Sequence, residues 1–71
     1  MLPAMSAMQV ISALHKAGFV DDQKSPEHLV LWNPRTGART VVPTAKKEKR
    51  PLLRAILQDT GLTLRQFLKL V

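Results

Sequence analysis

Between Ser6 and Ala17 the apolar residues Ala7, Val10, Ile11, Leu14 and Ala17 recur at intervals of three and four, the stripe of a helix laid on a core. Ser6 supplies an N-cap hydroxyl and Gly18 a natural stop just past the helix end. The leading "MLPAM" fits neither helix nor strand and reads as a flexible tail over 1–5, with Met5 or Met8 as alternative starts. Beyond Gly18 the pattern changes. Phe19 to Gln23 reads as a brief strand and Lys24 to Glu27 as a loop; "HLVLWN" is the central strand, since its branched and aromatic residues run unbroken. "PRTG" predicts a turn, with φ fixed at Pro34 and a positive-φ position at Gly37. "ARTVVPT" completes a hairpin, where Pro43 either ends the pairing or lies on an edge.

Helical spacing returns in Leu52, Leu53, Ile56 and Leu57, and Gly61 stops it. Thr63 and Gln66 then form the T-x-x-Q of a capping box. Leu64, Phe67, Leu68 and Val71 are expected to pack inward from the last helix. The predicted order is α-β-β-β-α-α, an α+β domain spanning 1–71 with a three-stranded antiparallel sheet and a short extra helix at the C-terminal end.

Seventy-one residues allow a thin core, because a chain this small buries only roughly 60% of the surface it exposes when unfolded. The absence of cysteine removes disulfides, zinc thiolates and thiol nucleophiles together. There is no basic leader and no run near the ~20 apolar residues that span a bilayer, so a cytoplasmic protein without a membrane partner is expected. Eleven Lys and Arg against five Asp and Glu give a net charge of +6, which draws polyanions from a distance. Nucleic acid is the first partner this suggests, and an acidic protein the second.

Few residues can carry chemistry. With no Tyr and only two His, the usual metal-ligand spacings and nucleophile arrangements are missing, as is a Gly-rich phosphate loop; no metal or other cofactor is expected. Asp21 and Asp22 are adjacent on a strand, so they point to opposite faces and cannot easily share a proton or a metal. His15, beside Lys16 in the last turn of the first helix, reads as a solvated residue favoured by the helix dipole. His28 sits where a loop feeds a strand, a position from which a scaffold presents a side chain to a ligand; surface filler is the equal alternative. In "AKKEKRPLLR", Lys46, Lys47, Lys49 and Arg50, with Arg54 one helical turn on, form either a solvated loop or a phosphate-tracking patch. Trp32 could stack a base, though its branched neighbours favour a place in the core.

The stretches "VISALHKAGF", "HLVLWNPRTGARTVVP" and "LLRAILQDTGLTLRQFLKL", in this order and spacing from about Val10 to Leu70, resemble the HicA (YcfA-like) family of toxin ribonucleases. The first is similar to the family's opening helix, the second to its His-led hairpin, and the third to its closing signature. The resemblance implies a double-stranded-RNA-binding-domain-like fold and cleavage of mRNA by the toxin of a type II toxin-antitoxin system. It also implies a HicB-like antitoxin that binds the toxin and masks its site. The family's catalytic histidine closes a Gly-Ser-His motif at the start of the second strand, and counting back from Pro34 places it on His28. Here "KSPEH" stands in place of Lys-Gly-Ser-His, the "NPRTG" turn is one residue longer, and Thr44 replaces a second histidine.

RNA brings its own nucleophile, the 2′-hydroxyl. Cleavage without a metal then needs a base to take its proton, a cation to steady the phosphorane and an acid for the leaving oxygen. His28 is expected to be the base, with Lys24 a candidate for charge stabilisation and Lys46, Lys47, Lys49, Arg50 and Arg54 holding the backbone. The alternatives are a non-catalytic RNA-binding module of the same fold and a basic protein-interaction domain.

Overall fold

The computed structural model describes residues 5–45 and 53–71. Ser6 starts α1 (Ala7–Lys16) as its spacing predicts: its hydroxyl accepts the Gln9 N–H at 3.2 Å, and Gln9 Oε1 accepts the Ser6 N–H at 2.9 Å. This capping box satisfies two otherwise orphaned donors. At the other end Gly18 turns the chain away with φ +97°, a conformation that costs a glycine little. Phe19, 3% exposed, drops into the core, so β1 begins one residue later than expected, at Val20–Lys24.

β2 (His28–Trp32) lies between β1 and β3 (Arg39–Pro43), with both pairings antiparallel. Strand alternation then separates two faces. Leu29 and Leu31 of β2, with Thr40 and Val42 of β3, are buried; His28, Val30 and Trp32 point the other way and oppose Pro43, Val41 and Arg39 in register. α2 (Leu53–Thr60) and α3 (Leu64–Leu68) complete the order α-β-β-β-α-α. Val10, Ala13 and Leu14 of α1, Leu53 and Ile56 of α2 and Phe67 of α3 join the inner sheet residues in one hydrophobic core. Among the described residues, the helices therefore occupy one side of the sheet and leave the His28 side open.

A polar contact ties the layers together. Thr40, 1% exposed, donates its hydroxyl to Asp59 of α2 at 3.0 Å. Thr40→Val keeps the shape and deletes the bond, and is expected to lower the stability read from urea unfolding by about 1 kcal/mol; an unchanged midpoint would show that this contact contributes nothing.

Three expectations are corrected. Met5 is 7% exposed and belongs to the core rather than to a tail; residues 1–4 lie outside the described ones. Leu68 and Val71 are 44% and 53% exposed. α3 is a five-residue helix, too short to carry an inward stripe to Val71, and Leu68 is one step around the helix from the inserted Phe67. Trp32 is half-buried on the open face, because period-two alternation gives the inner positions to Leu29 and Leu31. Leu52, expected in the α2 stripe, lies outside the described residues. Among those described, no helix is long and apolar enough to cross a membrane.

Candidate functional site

The β1–β2 hairpin closes on Ser25. Its N–H donates to the His28 carbonyl at 2.9 Å, and its Oγ accepts the N–H groups of His28 at 3.1 Å and Glu27 at 3.3 Å. Pro26 and Glu27 thus form a two-residue turn, with one hydroxyl satisfying the amides that the turn frees. On the other side the Thr44 N–H donates to the Glu27 carbonyl at 2.8 Å. Because antiparallel hydrogen bonds alternate along a strand, His28 and Pro43 form a non-hydrogen-bonded pair, so the missing N–H of Pro43 costs the ladder nothing. His28 is held at its main chain while its side chain stays exposed. Ser25→Ala should loosen this turn and speed amide exchange of Glu27 and His28 about fivefold, for a loss of ~1 kcal/mol; unchanged protection would assign the hydroxyl no role.

The imidazole borders an open groove of about 600 Å³ lined by Gln23, Lys24, Ser25, His28, Val30 and Val41. Val30 and Val41, opposite each other in register, form its apolar floor. Gln23 pairs with Val30 and so belongs to the same face. Lys24 pairs with buried Leu29, on the other side of the pleat from His28, yet borders the same groove. Farther along the open face, the Arg39 guanidinium lies 5.8 Å from the Trp32 ring centroid and is ion-paired with Asp22.

The remaining candidates are dispersed. His15 is 2.7 Å from Asp21, with both side chains about half exposed. Asp21 opposes Leu31 and takes the helix side, whereas Asp22 reaches Arg39 on the open side, as the opposed-carboxylate reading anticipates. Period-two alternation separates the two, and the β-bulge between Asp21 and Gln23 then returns Gln23 to the face of Val30. Arg54 is exposed on α2, in the helix layer, and does not line the groove. Lys46, Lys47, Lys49 and Arg50 lie outside the described residues. Of the predicted RNA-binding set, the described structure brings Lys24 alone beside His28. Among the described residues no three His, Asp or Glu side chains gather as a metal site.

Gln23, Ser25, Val30 and Val41 escape a reading centred on charged residues. Ser25 carries a detectable signal, since Ser-Pro followed by a strand favours a turn in which the hydroxyl binds amides two and three residues on. Compared with known proteins, the chain matches no family model, no curated protein and no solved structure.

Proposed function

We propose that the chain is a HicA-like endoribonuclease, the toxin of a type II toxin-antitoxin system, in which His28 acts as general base on mRNA. The observation that supports this reading is an exposed imidazole at the rim of an open groove, on a backbone pinned from both sides by the Ser25 and Thr44 contacts. A site of this kind fixes the main chain that presents the reactive group and admits a polymer from solution.

In the proposed reaction the neutral imidazole of His28 takes the proton of a ribose 2′-hydroxyl. The resulting oxygen bonds to the adjacent phosphorus, and the bond from phosphorus to the 5′ oxygen breaks. The leaving oxygen takes up a proton from the imidazolium or from water, so the products are a 2′,3′-cyclic phosphate and a 5′-hydroxyl. Lys24 is the cation beside the groove that stabilises the phosphorane. Lys46, Lys47, Lys49 and Arg50 hold the RNA backbone in this reading, and a HicB-like antitoxin covers the groove in the cytoplasm. Induced expression should arrest growth and shorten cellular mRNA. Normal growth with intact message at high protein level would overturn the proposal.

Glu27 favours a second reading. Its exposed carboxylate sits in the turn immediately before His28, where negative charge opposes an approaching phosphate. A chain that retains RNA without cutting it would be a non-catalytic binding module. Steep loss of that binding between low and moderate salt, with the RNA left whole, identifies this case.

A further inference from the structure

The open face of the sheet holds more than the groove at His28. His28, Val30 and Trp32 alternate along β2, and the register adds Gln23 and Val20 from β1 and Arg39 and Val41 from β3. Val20 and Val41 are 44% and 45% exposed, so an apolar strip that no helix among the described residues covers runs between the histidine and the tryptophan. At its far end two flat groups meet, the indole of Trp32 and the guanidinium of Arg39. Asp22, on the same side of β1, is ion-paired with that guanidinium.

An exposed apolar strip marks an interaction surface, and its chemistry selects among occupants. Indole and guanidinium planes are the surfaces on which unpaired bases stack, and the chain's charge of +6 complements a polyanion. Val30 and Val41 offer apolar support between them. A base pair inside a helix exposes no face for such stacking, so a duplex cannot use the platform. Four strand steps separate His28 from Trp32, or about 13 Å, too far for one nucleotide to fill.

We propose that this face is a track for single-stranded RNA, on which Trp32 stacks a base one or two nucleotides from the bond presented to His28, with Arg39 as the adjoining plate. The inference rests on the RNA-binding part of the function proposed above and is independent of cleavage. It makes Trp32 a substrate-binding residue.

Trp32 is the only tryptophan in the chain, so its emission reports the contact directly. The intact protein is titrated with a mixed-sequence single-stranded 2′-O-methyl RNA, which binds but offers no 2′-hydroxyl to cut, and with the same strand annealed to its complement. Stacking should quench the indole with the single strand and leave it unchanged with the duplex. Trp32→Leu should weaken single-strand binding about five- to a hundredfold, Trp32→Phe should retain most of the affinity, and circular dichroism should show both variants folded. RNA binding with unaltered emission and equal affinity for Trp32→Leu would overturn the track, even where wild-type protein cleaves RNA. The same outcome combined with Trp32-dependent capture of an acidic protein would assign the face to that partner instead. Quenching by RNA without any cleavage would uphold the track and overturn the ribonuclease reading.

Discussion

Replacing His28 with alanine is expected to slow RNA cleavage by the purified protein roughly 10²- to 10⁴-fold, the range that general-base catalysis supplies. RNA retention and fold should survive the change. The imidazole is exposed, so its removal opens no cavity and strands no buried polar group. The turn that presents it uses the main chain of residue 28, through contacts to Ser25, which alanine preserves. Loss of cleavage together with loss of the circular dichroism signal would attribute the effect to folding. An unchanged rate in a folded His28→Ala variant would move the chemistry elsewhere.

The second large effect concerns the core. Phe67 is fully buried, inserted from a helix of only five residues whose start depends on the Thr63–Gln66 capping box. Truncating a buried Phe to Ala typically costs about 3–5 kcal/mol. A single core in a chain near this size supplies only about 3–5 kcal/mol of net stability. Phe67→Ala should therefore be largely unfolded at room temperature, with urea unfolding reduced to a shallow, non-cooperative curve. Leu68→Ala is the matched control: that side chain is 44% exposed, and its loss should change stability by no more than about 0.5 kcal/mol. Comparable losses in both variants would contradict the inward placement of Phe67.

Elements whose signals are local were legible in the sequence. Ser6 with Gln9 and Thr63 with Gln66 cap their helices as spaced, and Gly18, Gly37 and Gly61 all take positive φ. The central strand and the order α-β-β-β-α-α also follow from periodicity. Features that depend on distant partners were less visible. The buried place of Met5 depends on core residues far along the chain. Trp32 faces outward because Leu29 and Leu31 take the helix side, and an unbroken apolar run does not reveal which set turns inward. The bulge that returns Gln23 to the face of Val30 depends on pairing between strands.

The candidate site was legible to the same extent. His28 stood out as a titratable group at a loop-to-strand junction, and the fold places it beside a groove. Its neighbours were hidden because Val30 and Val41 look like ordinary strand residues until the register sets them side by side. Arg54 is close to the basic run in sequence, yet α2 carries it in the layer on the opposite side of the sheet. Charge along a chain does not report which face of a sheet receives it.

The claim that the 2′-hydroxyl of RNA, activated by His28, is the nucleophile is tested most directly by the end groups of the products. Purified wild-type protein is given mixed-sequence RNA and its 2′-O-methyl counterpart, each with chelator present. Fragments ending in 2′,3′-cyclic phosphate and beginning with 5′-hydroxyl are expected from the RNA, and none from the methylated strand. Cutting of the methylated strand, or fragments that begin with 5′-phosphate, would contradict the claim.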